Sequence, residues 1–408
     1  MEKKNIWYIS KYATPIKYFF GTRHFYYGEV WAKEGHRVCV ITSNANHLAK
    51  GKLPTFRGKS FREVIQGVET IWLNTFQAQT ASGLARILSW LHFEWQLLTL
   101  DTRHLPKPDV VIVSSLSLLT ILNGYRLKKK YNARLIFEIR DIWPLTAMEL
   151  GGYSAGHPFI RVLAWVERFG YRKADAIVGT MPNLAEHVRQ VCPQAAPVYC
   201  MPQGIQMSFY TEGQRELDQA FIETYIPKGK FVVGYAGALG RSNSLHTIVE
   251  AARLLQDHPQ IHVVLLGDGD FKTELEALSE GLPNISFAPR IEKPYVQSFL
   301  RHCQLLYDSV ADTVIYRYGL SRNKWMDYMY AAKPIVASYS GFLSLINEAQ
   351  CGEAVPAEDP KALADKLLAY AQKPPQELEA MGQRAHDFLI ENRTFETLAK
   401  KYVALFGD

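Results

Sequence analysis

Two glycine-bearing loops, each between an apolar run and a helix-like stretch, carry side chains suited to holding phosphate. In YAGALGRSNSLHTIVEAA (235–252), Gly237 and Gly240 occupy the turn, Arg241 stands beside them and apolar periodicity begins after Ser244. Unpaired N–H groups and partial positive charge at a helix start favour an anion there. The spacing is G-x-x-G, and no acidic residue sits where a dinucleotide's ribose needs one, so phosphate binding survives and a nicotinamide cofactor does not. The other loop, PIKYFFGTRHFYYGE (15–29), offers Gly21 for close backbone approach, then Thr22, Arg23 and His24, the last two able to face an anion. It reads equally as a surface turn. In GDGD (267–270), N-cap and turn chemistry outweigh a divalent-ion reading of the two aspartates, and no metal is assigned.

Such loops need a sheet to present them. Short β-branched runs recur, each followed by a longer stretch of helical apolar spacing, the pattern of βα units on a parallel sheet. Strands are expected near 5–10, 37–42, 109–114, 134–139, 176–179 and 198–201, and the alternation restarts at 231–237, 262–267, 285–289, 304–309 and 333–338. A helix from Phe25 to Glu34 ends at Gly35, and further helices are expected at 360–372, 376–391 and 396–406. The reading is α/β, two doubly wound parallel sheets in series, joined near MPQGIQ (201–206).

The 408 residues suit two domains, and 48% hydrophobic with 21% charged residues is a globular balance that excludes disordered and collagen-like classes. The net charge of +6 conceals an asymmetry. Residues 1–205 hold 26 Lys+Arg against 14 Asp+Glu, a balance of +12, while 206–408 hold 20 against 26, a balance of −6. The basic half suits a nucleic acid, an anionic membrane or a phosphorylated substrate. Five scattered cysteines without a C-x-x-C pair argue against a disulfide framework or zinc site and fit a reducing compartment. The short apolar run in MEKKNIWYIS does not make a signal peptide, and LARILSWLHFEWQLLTL (84–100) is interrupted by Arg86, His92 and Glu94, so a soluble or peripheral protein is expected.

Seven segments in order, the loop and helix before GHRVCVITS (35–43), EIRDIWP (138–144), ADAIVGTMPNLAEHV (174–188), MPQGI (201–205), GYAGALG (234–240), VLLGDGD (264–270) and GLSRNKWMDYMYAAKPIVAS (319–338), carry a resemblance. The chain resembles glycosyltransferase family 4, the retaining GT-B sugar-nucleotide transferases, and within it the bacterial O-antigen and capsule subgroup that transfers N-acetylated hexosamines or deoxyhexosamines. The resemblance implies two Rossmann-like sheets facing across a cleft: an acceptor domain at 1–205, a nucleotide-sugar domain at 206–385 and a C-terminal helix at 386–408 crossing back. It implies transfer from a UDP-sugar to a lipid-linked or saccharide acceptor in cell-surface polysaccharide synthesis, with no metal or other cofactor. The protein would be cytoplasmic and peripheral at the inner face of the membrane. A UDP-sugar epimerase on the same fold is the alternative. A nucleic-acid binder is a distant third, because no recognised module is present.

The resemblance also places residues. Arg241 and Lys324 would hold the diphosphate, where fixed cations stabilise the charge growing on the leaving group. Asp327 stands at the second acidic position of the family's Glu-x7-Glu signature, facing the ribose, while the first position is Gly319. Backbone N–H groups at Gly319, Leu320 and Ser321 could replace that missing carboxylate. Arg140 stands where many members have histidine. It cannot act as a base, so binding or charge stabilisation is its role, and Asp141 would orient it or take a proton from the acceptor. Arg290 would meet the nucleotide base. Lys50, Lys52, Arg57, Lys59 and Arg62, interleaved with Leu53, Phe56 and Phe61, together with 84–100 suggest an interfacial membrane patch, although 84–100 alone reads equally as a core helix.

Overall fold

A computed structural model describes residues 2–18, 22–46, 53–77, 84–115, 117–342 and 345–407. The chain divides into two compact units, one formed by Met1–Pro202 with Phe395–Asp408 and the other by Gln203–Thr394.

The first unit is built on eight strands: β1 (Asn5–Ile9), β2 (Arg37–Ser43), β3 (Ser60–Ile65), β4 (Val68–Leu73), β5 (Val110–Ser114), β6 (Arg134–Ile139), β7 (Ala176–Gly179) and β8 (Val198–Cys200). Their order is β3-β4-β2-β1-β5-β6-β7-β8, parallel except for the β3/β4 pair. Central strands such as VVIVS are buried throughout, as expected of a parallel sheet covered on both faces. The β3/β4 hairpin was not expected from the sequence. Its turn is Gln66-Gly67 with positive φ at both residues (49° and 81°), and only Ile65 of β3 is buried, so the hydrophobic signal is faint. Arg57, Lys59 and Arg62 are exposed beside or on this edge strand. Lys50 and Lys52 lie outside the described residues.

The chain end returns to this unit. The Phe395–Val403 helix packs on the Arg23–Lys33 helix, with Tyr26 stacked on Phe395 (4.7 Å) and Trp31 Nε1 donating to the Ala399 carbonyl (3.2 Å). Residue 386, the expected start of the returning segment, falls inside the Pro375–Asn392 helix, whose Ala385 and Leu389 are buried in the second unit's core.

The second unit has β9 (Phe231–Ala238), β10 (Ile261–Asp268), β11 (Ile285–Ala288), β12 (Leu305–Ser309), β13 (Ile335–Ser338) and β14 (Gly352–Val355), all parallel, in the order β11-β10-β9-β12-β13-β14. The chain runs outward from β9 in both directions, so the gap between the carboxyl ends of β9 and β12 is the topological switch point, where open α/β sheets bind ligands. The four-residue β14 was also missed, because GEAV is too short to show a pattern. Among the described residues no helix is long and apolar enough to cross a membrane.

Candidate functional site

At that switch point two cations converge on one buried carboxylate. Asp308, near the end of β12, is buried and pairs with Arg322 Nε (2.9 Å) and Lys324 Nζ (3.0 Å). Arg322 immediately precedes the Asn323–Tyr330 helix, and Lys324 lies in its first turn. Arg322 also donates to Asn243 Oδ1 (2.6 Å), and Asn243 in turn donates to the Ala238 carbonyl at the end of β9 (2.9 Å). Lys324 Nζ donates to the Tyr235 hydroxyl (2.7 Å), which donates to that same carbonyl (2.7 Å). The two cations are therefore tied to both sides of the switch.

The cluster holds one positive charge in excess when Lys324 is protonated. Burial pulls the Lys324 ammonium down to about 7, with Asp308 opposing and Arg322 adding to the fall. An incoming anion would restore its proton. Together with the N-terminal amides of the Asn323–Tyr330 helix, the arrangement is suited to a di-anion such as a diphosphate.

The sequence pointed to Lys324 and Gly237, which the structure brings together: a Cβ built on Gly237 would lie 3.2 Å from Lys324 Nζ. Arg322, Asp308, Asn243 and Tyr235 were missed. The basic spacing of SRNK was the available signal for Arg322, whereas Asp308 looks like any strand-ending residue in QLLYDS. Arg241 opens a short 3-10 turn nearby, but its side chain is 67% exposed, paired with Glu274 (2.8 Å) and laid over Phe271. Gly240 precedes it and meets Asp270, 3.2 Å from a built Cβ.

Other expected donor contacts are placed elsewhere. The Asp327 carboxylate, assigned to ribose from the sequence, is engaged by Lys293 and accepts from the Tyr210 hydroxyl (2.7 Å). The Gly319 N–H, assigned to sugar or phosphate, already donates to the Tyr316 carbonyl (3.0 Å). Leu320 is buried, and Ser321 Oγ accepts from the Gln203 N–H (2.7 Å). Arg290 is exposed just past β11, with β10 between that strand and β9. Gly21 lies outside the described residues. Among the described residues no group of three or more His, Cys, Asp or Glu is placed to hold a metal ion.

GDGD is explained by packing. Gly267 pairs with Gly237 across β9 and β10, has φ of 151°, and a Cβ there would fall 1.9 Å from the Gly237 carbonyl oxygen. Gly267→Ala should destabilise the fold by roughly 2 kcal/mol or more, read by urea denaturation.

In the first unit, the ends of β1, β5 and β6 gather a second polar group. Arg140 follows β6, with its N–H donating to Ser115 Oγ (3.2 Å) and its carbonyl accepting from Thr180 Oγ1 (3.4 Å). Asp141 is accessible at its surface, yet the protein crowded around it raises its carboxyl above the ordinary range, with Arg140 and Arg86 opposing. Arg23 and His24 are not on the surface as their loop suggested. Arg23 is buried against Glu138 (Nε to Oε1, 3.2 Å) and donates to the Met201 carbonyl (2.8 Å) and the Tyr27 hydroxyl (3.1 Å). His24 is fully buried and held neutral by that burial, with the charges of Arg140 and Arg23 adding to the effect.

Comparison with known proteins agrees with this architecture. A model described as glycosyl transferase 4-like domain matches residues 25–204, and one described as glycosyl transferases group 1 matches residues 230–373. The two together cover most of the chain, one model in each half. The protein is a glycosyltransferase of the GT-B fold. It belongs to the group 1 and 4-like glycosyltransferases. A putative colanic acid biosynthesis glycosyl transferase, WcaI of Escherichia coli K12, is 25% identical over 275 residues, spanning 65% of this chain and 67% of that protein. Sucrose-phosphate synthase from Thermosynechococcus elongatus superposes with a TM-score of 0.71 at 16% identity, covering 99% of this chain and 98% of that one. HepE from Anabaena in complex with UDP gives 0.67 at 14% identity, covering 98% of each chain.

Proposed function

We propose that the protein is a retaining, metal-independent glycosyltransferase. It moves a sugar from a UDP-sugar to a lipid-linked or saccharide acceptor in the synthesis of a cell-surface polysaccharide such as O-antigen or capsule. The observation that carries the donor reading is the Arg322–Asp308–Lys324 cluster at the switch point. Its surplus charge complements a nucleoside diphosphate, and the amides beside it add to that field. The relatives support the same reading, since HepE was solved with UDP and with UDP-glucose and the Escherichia coli relative is named for colanic acid.

In the reaction, Arg322 and Lys324 hold the diphosphate and stabilise the negative charge that accumulates on it as the glycosidic bond to the donor breaks. The acceptor belongs to the first unit, where Asp141, its carboxyl raised, is suited to take the acceptor's proton while Arg140 fixes local charge. The N-acetylated hexosamine or deoxyhexosamine specificity rests on the sequence resemblance. So does placement at the inner face of the cytoplasmic membrane.

Calorimetric titration with UDP and UDP-sugars tests the reading. Lys324 titrates near 7 in the free protein and must be charged to hold phosphate. Affinity for UDP should therefore fall as pH rises above 7, by up to about tenfold per pH unit until the value in the complex is reached. Lys324→Arg, charged throughout, should flatten the profile. No UDP binding at pH 7 would defeat the donor assignment.

A further inference from the structure

Among the described residues, the first unit carries an exposed apolar face. The Thr120–Tyr131 helix lies between the Leu84–Leu98 and Pro158–Lys173 helices and packs on both. On the first flank Leu88, Leu91, Trp95 and Leu98 recur at three- and four-residue spacing, one side of a helix, and all are exposed, Trp95 to 61%. On the other flank Val162 and Trp165 are exposed, Trp165 to 60%, and Trp165 stacks on Phe169 (5.7 Å), which meets Tyr125 of the middle helix edge-on (5.3 Å). The opposite side of the 84–98 helix is packed inward through Trp90, Phe93 and Leu97, all buried, and at the flank Glu94 accepts from Thr120 Oγ1 (2.6 Å) and Asn123 Nδ2 (2.8 Å). The apolar row is therefore the outward side of a helix whose inward side is already satisfied.

Charge selects the occupant. The three helices hold nine Lys and Arg against two Glu. Both glutamates are turned inward, Glu94 as above and Glu167 onto Tyr171 and His187. Lys129 and Lys173 each stand 5.9 Å from the centre of the Tyr125 ring, so positive charge borders the apolar stripe directly. A second copy of the same face would bring like charge against like. A nucleic acid could stack bases on the tryptophans but would leave the four-residue leucine-rich row unsatisfied. An anionic bilayer surface satisfies both features, with indole and leucine side chains in the headgroup boundary and Lys and Arg on the phosphates.

The geometry points to this three-helix face as a docking surface for an anionic lipid bilayer. The inference deepens the reading of a membrane-held acceptor and rests on it. It moves the contact away from the basic stretch at 57–62, which lies beside or on the sheet's edge strand β3.

Sedimentation with vesicles tests it. The full chain should pellet with phosphatidylglycerol/phosphatidylethanolamine vesicles and not with phosphatidylcholine alone, and its tryptophan emission should shift to the blue on binding. The Trp95→Ser/Trp165→Ser variant, both sites being exposed, should partition roughly tenfold or more weakly with an unchanged melting temperature. Arg161→Glu/Arg168→Glu should raise the fraction of anionic lipid needed. Equal partitioning of wild type and the tryptophan variant, or no wild-type binding, overturns the inference. A dimer in sedimentation velocity that the same substitutions dissolve also overturns it, assigning the face to a second copy. UDP affinity measured on the same preparations reports the donor site separately. Lost vesicle binding with intact UDP binding refutes the surface alone, and the reverse refutes the donor assignment alone.

Discussion

On the proposed donor site, Lys324→Ala should lower turnover of the UDP-sugar by about 10²-fold or more, because it would remove one of two fixed cations from the charge developing on the leaving diphosphate. The fold should tolerate it. Asp308 retains Arg322 through Nε (2.9 Å) and Nη2 (3.1 Å), so no buried carboxylate is stranded, and a buried ammonium whose desolvation opposes its charge is removed. Arg322→Ala should combine the catalytic loss with a loss of stability, since it strips Asp308 of its two-point partner and Asn243 of a donor. Arg241→Ala should cost less than either, its guanidinium being exposed and held on Glu274. Initial rates of UDP release, with melting temperatures on the same samples, check all three. Wild-type turnover in Lys324→Ala would remove the cluster from the mechanism.

What the sequence disclosed follows from how far apart the cooperating residues lie. Strands such as NIWYI and VVIVS are apolar on both faces and announce themselves within five residues, which is why the parallel alternation was legible. The β3 strand SFREVI buries one residue, and its pairing is declared only by the Gln66-Gly67 turn. Lys324 was legible because its neighbours form a motif. Asp308 was not, because only the order of strands around β9 brings it beneath two cations 14 and 16 positions later. The charge asymmetry was legible as a sum, but its placement needed the helices. Their period sorts Leu88, Leu91, Trp95 and Leu98 onto one side and the buried Trp90, Phe93 and Leu97 onto the other. Arg23 and His24 show the opposite failure: polar residues in a glycine loop suggest solvent, yet both are buried, with Glu138 facing them and the Met201 carbonyl accepting from Arg23, more than a hundred residues away.

That buried pair sets the largest stability effect expected in the first unit. Glu138 accepts from the Tyr8 hydroxyl (2.7 Å) and faces Arg23 at 3.2 Å, and neither charged side chain reaches water. Glu138→Ala would leave the Arg23 guanidinium in the core without its counter-charge, at a cost of about 3–5 kcal/mol in urea denaturation. Tyr8→Phe, which removes one donor and leaves the ion pair, should cost about 1–2 kcal/mol. Arg23→Met/Glu138→Leu removes both charges and should recover much of the loss, because desolvating the pair already offsets most of its attraction. The double variant also separates structure from acceptor binding. If Arg23 serves the core, turnover should survive in a folded double variant, whereas a folded but inactive protein would return Arg23 to the acceptor. His24 adds a pH signature. Its folded value lies below the ordinary 6.5, so the unfolded chain takes up the proton first. Its share of stability is present above 6.5 and lost as pH falls below it. His24→Gln should shift that acid limb of the stability curve, while leaving the pH dependence of UDP binding to Lys324.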